Sequence, residues 1–318
     1  MKNKVLICEP CHPIIKEELE QAGYECDFIP TSNNEMVKET IHQYYGLIVR
    51  SKVIVDSTLL YRANKLAFIG RVGSGMELID QEAARQKGIL CFNSPEGNKD
   101  SVAEHVVGSM IVLLKNIHLL DYAMRENQWL RKDKRGYELG NKTVGIIGFG
   151  NTGSALAQKL SGFGCKILAY DKYKKDFGNT FVIETDMDHI FTETDVLSVH
   201  LPLTPETKYL VDSPFLNKFK KNIYFINTSR GPIMNTNAVV NAIDEGKILG
   251  AALDVFEEEP LFPISKTDQN WFEKLRTNRK VVFTPHIAGV SNDAFYKLAY
   301  ILSQKIKEHP QLSADSQN

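Results

Sequence analysis

The feature that most narrows what this chain can fold into is a glycine turn near its middle, Gly148-Phe149-Gly150-Asn151-Thr152-Gly153. An apolar run at 144–147 leads into it, and a helix-forming run at 155–160 leads out. A GxGxxG hexapeptide alone means little. Between a strand and a helix it has a physical purpose: the glycines permit a tight turn and close approach of backbone to a pyrophosphate. The helix start then offers unpaired N–H groups and the positive end of a dipole. The next apolar run, Ile167-Leu168-Ala169-Tyr170, ends on Asp171. That is near the roughly 20-residue spacing expected of an acid that accepts the hydroxyls of an adenosine ribose. A carboxylate there repels a 2′-phosphate, which favours NAD over NADP. Lys172, Lys174 and Lys175 follow closely and weaken that preference.

Around this turn the chain alternates between short apolar runs and helical stretches. Runs at 5–8, 46–50 and 66–70 are separated by helical patterns at 13–22, 33–45 and 80–87. The runs are continuous rather than alternating, as parallel strands buried on both faces are. A long apolar helix at 101–120 opens a second series, with strands at 143–148, 166–170, 196–199, 223–227, 250–253 and 281–284. Six parallel strands with intervening helices make a doubly wound sheet. A last helix at 292–308 follows, and the polar tail 311–318 is expected to fray. The 318 residues suit two domains. The expected fold class is α/β: a Rossmann cofactor domain at 100–287, and a smaller flavodoxin-like substrate domain at 1–99 plus 288–318. The two are expected to flank a cleft that closes on a hinge.

Composition removes other function classes. A net charge of −1 gives no broad attraction for nucleic acid or an anionic membrane. No apolar run approaches the ~18–20 residues that span a bilayer, and the N-terminus lacks the signal-peptide pattern. Five irregularly spaced cysteines argue against a disulfide framework and for a reduced, cytoplasmic setting. Cys8 and Cys11 form a CxxC with no second pair at metal spacing, so no metal site is expected there.

Three further segments stand at the ends of predicted strands: Asn227-Thr228-Ser229-Arg230-Gly231, Leu253-Asp254-Val255-Phe256-Glu257-Glu258-Glu259-Pro260 and Thr284-Pro285-His286-Ile287-Ala288-Gly289. In an open α/β sheet the strand C-termini face one crevice. An Arg, a Glu and a His far apart in sequence can therefore converge.

With these segments the chain resembles the D-isomer-specific 2-hydroxyacid dehydrogenases. The likeness covers nearly its whole length. It includes Arg71-Val72-Gly73-Ser74-Gly75 with Ile79-Asp80, Asn93-Ser94-Pro95, Ala103-Glu104-His105 and His200-Leu201-Pro202-Leu203-Thr204. Within the family, residues 47–51 and 70–80 are most similar to those of 3-phosphoglycerate dehydrogenases. The resemblance implies that Arg230 holds the substrate carboxylate and polarises the C2 oxygen. A planar guanidinium suits that task because it binds two oxygens at once. It also implies that His286 exchanges the hydroxyl proton and that Glu259 orients and charges its ring. By the same resemblance Asp254 meets the nicotinamide carboxamide. Ser74 and Gly75 give amides to the substrate carboxylate. Leu201, Pro202, Thr228, Ser229 and Ala288 join the glycine turn in lining the cofactor site.

The first substrate expected is 3-phosphoglycerate, with Arg50 at its phosphate, Ser51 among the substrate-binding residues, Lys52 beside Arg50, and Arg131 or Arg135 reaching in from a dimer partner. The alternatives are reduction of glyoxylate, hydroxypyruvate or another 2-keto acid, and a non-catalytic NAD-sensing protein like the corepressors that share this fold. A homodimer through the cofactor domains is also implied, with 101–120 and 125–135 as the contacting segments. The chain departs from the family in having Thr152 where an aliphatic residue is usual, and in extra residues at 261–280. It ends soon after the last helix, so a short form without the C-terminal regulatory domain of many relatives is expected.

Overall fold

The computed structural model describes residues 2–30, 33–132, 134–260 and 269–312. The chain divides into two units: residues up to Lys99 joined by those from Val290 onward, and Asp100–Gly289.

The smaller unit is built on five parallel strands: β1 (Lys4–Ile7), β2 (Glu25–Phe28), β3 (Gly46–Val49), β4 (Phe68–Arg71) and β5 (Leu90–Asn93). Their order, β2-β1-β3-β4-β5, is the flavodoxin-like one. β3 is buried at all four positions, as its unbroken apolar run requires. The edge strands β2 and β5 are additions to the expected ones; β5 continues an apolar run, Ile89-Leu90-Cys91-Phe92, that the sequence does show. An edge strand lies at the rim of the layer, so β2 can read Glu-Cys-Asp-Phe and show no apolar run. The returning helix Asn292–Lys307 packs Leu298, Ala299, Leu302 and Ile306 against Val5, Ile7, Ile48 and Phe68. That burial joins the end of the chain to its beginning.

The larger unit holds seven parallel strands: β6 (Thr143–Ile147), β7 (Lys166–Tyr170), β8 (Ile183–Glu184), β9 (Val196–Val199), β10 (Ile223–Asn227), β11 (Ile248–Leu253) and β12 (Val281–Phe283). Their order is β12-β11-β10-β9-β6-β7-β8. The winding reverses between β6 and β9, and ligands of doubly wound sheets bind at that switch, beyond the strand C-termini. The glycine turn follows β6 directly. The expected strands are present with one addition, β8, whose two residues at the sheet edge carry no apolar pattern.

The helix expected at 101–120 is two helices. Lys99–Leu114 buries Val102, Ala103, Val106, Met110, Leu113 and Leu114, and the chain then breaks at Asn116, which is left-handed with φ 55°. Ile117–Arg125 continues at 61° to it. No single helix among the described residues is long and apolar enough to cross a membrane. In the segment 261–280, residues 261–268 lie outside the described residues. The helix Gln269–Thr277 follows them and sends Trp271, Phe272 and Leu275 into the core beneath the sheet.

Candidate active site

At the dinucleotide turn, each glycine has its own reason. Gly148 is left-handed at φ 92°, and a Cβ there would strike the carbonyl oxygen of His200. A Cβ on Gly153 would strike the carbonyl oxygen of Gly148, so this glycine lets the helix pack onto the strand. A Cβ on Gly150 would meet nothing within 4 Å. The helix Asn151–Leu160 that starts here has no side-chain cap. Among the described residues, the amides from Gly150 to Gly153 donate to nothing. Unpaired amides at a helix start are what a pyrophosphate needs. Thr228 adds a buried hydroxyl with no partner, a group that a bound ligand can satisfy. Leu201 lies 3.1 Å from the Gly148 Cβ position, and the carbonyl of Pro202 accepts from Thr207 at 2.6 Å.

Asp171 ends β7 beside this turn. It accepts from the amide of Phe149 at 2.8 Å and from those of Tyr173 and Lys174 at 2.9 Å. Burial pushes its carboxyl up, but these amides outweigh burial and hold it below the usual carboxylate range. The lysines that follow are engaged. Lys172 pairs with Glu206, whose other oxygen takes the Tyr173 hydroxyl at 2.6 Å, and Lys174 lies 5.3 Å over the Phe149 ring.

At the ends of β10, β11 and β12 the expected trio is assembled. His286 Nδ1 lies 2.5 Å from Glu259 Oε2, and Glu259 Oε1 accepts from the Phe256 amide at 2.9 Å. The hydrogen bond from Glu259 raises the His286 pKa, while burial and the Arg230 charge pull it down. Glu259 is pushed up by burial, yet His286 and the Phe256 amide hold it below the ordinary range. His286 is half exposed, and its Nε2 has no partner among the described residues. Arg230 donates from Nη1 to the Ser229 carbonyl at 2.7 Å, and Ser229 in turn bonds back to the Val199 carbonyl and the Asn227 side chain.

His286 itself has φ 54°, a left-handed backbone that costs a non-glycine residue about 1–3 kcal/mol and persists only where its surroundings over-determine it. The surroundings do so through Asp254, which is 1% exposed. Its carbonyl accepts the His286 amide at 2.8 Å. Its carboxylate accepts the Ile287 amide at 2.9 Å, the Ala288 amide at 2.8 Å and the Thr284 hydroxyl at 2.5 Å. Ser101 ties the Ala288 carbonyl at 2.9 Å. Asp254 therefore grips the histidine loop. Thr284 and Ser101 were not singled out from the sequence; the only cue to Thr284 is its place two residues before His286.

Residues 107–288 match the D-isomer-specific 2-hydroxyacid dehydrogenase NAD-binding domain. The chain belongs to the D-isomer-specific 2-hydroxyacid dehydrogenases. Among relatives, a D-3-phosphoglycerate dehydrogenase of Methanocaldococcus jannaschii is 34% identical over 308 residues, which is 96% of this chain and 57% of that protein. The chain thus spans little more than half the length of such phosphoglycerate dehydrogenases. A hydroxypyruvate reductase of Thermotoga maritima is 34% identical over 92% of this chain and 91% of its own length. A D-lactate dehydrogenase from Aquifex aeolicus, solved with NAD and lactic acid, superimposes with a TM-score of 0.84 at 26% identity, covering 96% of this chain and 94% of that one.

The smaller unit carries the other expected residues. The Ser74 and Gly75 amides donate to nothing among the described residues. The loop is held by Asn93, which donates to the Ser74 carbonyl at 2.7 Å, and by the Ser74 hydroxyl on Asn98 at 2.7 Å. The Arg50 and Ser51 amides each donate to Glu9 at 2.8 Å. Three other titratable groups are shifted by burial. His200 is buried and bonded to the Ser198 hydroxyl, and burial lowers its pKa to about 4. Burial pushes the Cys8 thiol up to about 12 and that of Cys11 to about 11, far from the range of a reactive thiolate.

Proposed function

We propose that this protein is an NAD-dependent D-2-hydroxyacid dehydrogenase with Arg230, Glu259 and His286 as its catalytic residues. The observation that carries the reading is the 2.5 Å His286–Glu259 pair, with Nε2 left unpartnered beside Arg230. NAD, when bound, supplies the acceptor and donor of hydride. The glycine-turn amides, Asp171 and the Thr228 hydroxyl are the groups that hold it. In oxidation His286 Nε2 takes the C2 hydroxyl proton, and Glu259 steadies the imidazolium through Nδ1. Arg230 binds the carboxylate and neutralises charge gathering on the C2 oxygen. In reduction the imidazolium returns the proton.

The finer reading is 3-phosphoglycerate as substrate, supported by the phosphoglycerate dehydrogenase relatives and by Arg50 and Lys52 at the end of β3. The reductase reading is supported by the Thermotoga relative, which the chain matches over nearly its whole length. NADH absorbance with 3-phosphoglycerate, D-glycerate, hydroxypyruvate and glyoxylate separates them. The dehydrogenase reading predicts turnover of D but not L acids. It also predicts that His286→Ala loses about 10²–10⁴-fold in kcat while still binding NADH. Near-normal kcat in that variant would refute it.

A homodimer through the larger unit belongs to the same proposal. Tyr122, Met124, Trp129 and Tyr137 are 45–75% exposed on and after the helix Ile117–Arg125, which is costly unless covered. Light scattering of the purified chain tests it; a monomer at micromolar concentration would overturn it.

A further inference from the structure

Glu9 is a buried carboxylate that the dehydrogenase chemistry does not use. It is 3% exposed and lies two residues past the end of β1. Its Oε1 accepts from the amides of Arg50 at 2.8 Å, Lys52 at 3.1 Å and Val53 at 3.2 Å. Its Oε2 accepts from the amides of Ser51 at 2.8 Å and Lys52 at 3.0 Å, and from the Ser51 hydroxyl at 3.4 Å. β1 and β3 are neighbours in the sheet, which sets the two strand ends side by side. Among the described residues no cation pairs with Glu9. Burial pushes its carboxyl up, but the four amides outweigh burial and keep it ionised.

Successive backbone amides wrapped around one anion form a nest, the arrangement that elsewhere holds phosphate. Here the anion belongs to the protein. Without it four amides would be left facing each other unsatisfied, so the loop shape depends on the charge. That loop begins with Arg50. Its guanidinium donates to the Pro10 carbonyl at 3.3 Å and lies 5.6 Å over the Phe295 ring. His12 stands edge-on to the same ring at 5.5 Å. Because Glu9 has taken the amides, the loop offers an outside anion its side chains only.

We propose that Glu9 is a positioning residue for substrate recognition: a built-in anion that shapes the 50–53 loop so that the Arg50 guanidinium, rather than the backbone, meets the substrate's distal group. The inference rests on the reading of Arg50 as substrate-facing.

The test is a double-mutant cycle of Glu9→Ala and Arg50→Ala, read as KM and kcat on the substrate the panel above identifies. Glu9→Ala should raise KM about tenfold, the scale of one charge-assisted hydrogen bond, with a smaller effect on kcat. In the Arg50→Ala background it should add almost nothing, because both act through the same guanidinium. Formate is small enough to fill the vacated nest, and it should restore the Glu9→Ala KM saturably while leaving wild type unchanged. If Glu9→Ala folds poorly, Glu9→Gln, which keeps one accepting oxygen, should show a smaller rise of the same kind. An unchanged KM in Arg50→Ala would overturn the reading of Arg50. A KM effect of Arg50→Ala with none from Glu9→Ala or Glu9→Gln, or effects that simply add, would overturn the role of Glu9.

Discussion

The three glycines of the dinucleotide turn should respond to alanine in opposite ways. Gly148→Ala places a side chain on a left-handed backbone, worth about 1–2 kcal/mol. Its Cβ would also lie well under 3.0 Å from the His200 carbonyl oxygen, which belongs to backbone and cannot swing away. Such overpacking costs about 1–3 kcal/mol, so the total is about 2–5 kcal/mol. For a domain of this size that lowers Tm by roughly 4–20 °C. Gly153→Ala meets the Gly148 carbonyl in the same manner without the φ penalty and should fall at the lower end. Gly150→Ala meets nothing, at an ordinary φ of −80°, and should stay within about 0.5 kcal/mol of wild type. Its methyl group instead projects into open space at the turn, where a bound pyrophosphate would have to approach the backbone. Losing one hydrogen bond to a charged group costs about 1.5–3 kcal/mol, so NADH should bind about 10- to 150-fold more weakly. Thermal unfolding of each variant without cofactor, with NADH titration by fluorescence, measures both effects. The reasoning fails if Gly150→Ala destabilises the chain as much as Gly148→Ala does, or if it binds NADH like wild type.

Three further outcomes are expected. His286 is raised by its bond to Glu259, so reduction, which needs the imidazolium, should fall as pH rises through that pKa; Glu259→Gln should move this limb, and the matching limb for oxidation, to lower pH, and an unmoved profile would refute the pairing. Thr284→Val removes a charge-assisted bond to Asp254, so unfolding should show a loss of about 1–3 kcal/mol and kcat should drop, whereas Thr284→Ser should retain most of both; equal losses in the two variants would show that the hydroxyl is not the cause. Asp171→Ala should narrow the preference for NAD over NADP in kcat/KM, because the carboxylate that repels a 2′-phosphate is gone; a wild-type enzyme using both cofactors equally would contradict this.

The division of labour between sequence and fold is plain at particular residues. The strand–turn–helix around Gly148 and the acid at Asp171 are written locally, in glycines at fixed spacing between an apolar run and a helical one. Parallel strands such as β3 and β9 show themselves because burial on both faces demands unbroken apolar runs. Arg230, Glu259 and His286 stand out because each follows such a run, and topology sends the ends of parallel strands to one side. The edge strands β2 and β8 are hidden by the same logic, since a rim position does not impose that pattern, whereas β5 does continue an apolar run, Ile89-Leu90-Cys91-Phe92, that the expected strands left out. The apolar pattern at 101–120 likewise says helix but not where it bends, because the break lies in one backbone angle at Asn116.

What only tertiary structure decides here is where backbone amides point. Glu9 reaches the amides of residues 50–53, and Asp254 reaches those of Ile287 and Ala288. Both acids are legible as acids, and one of them as part of a functional segment. Neither is legible as the holder of a loop. Every residue except proline carries the same N–H group, so residue type says nothing about which carboxylate it will meet. That pairing exists only once the strands are in register and their ends stand side by side.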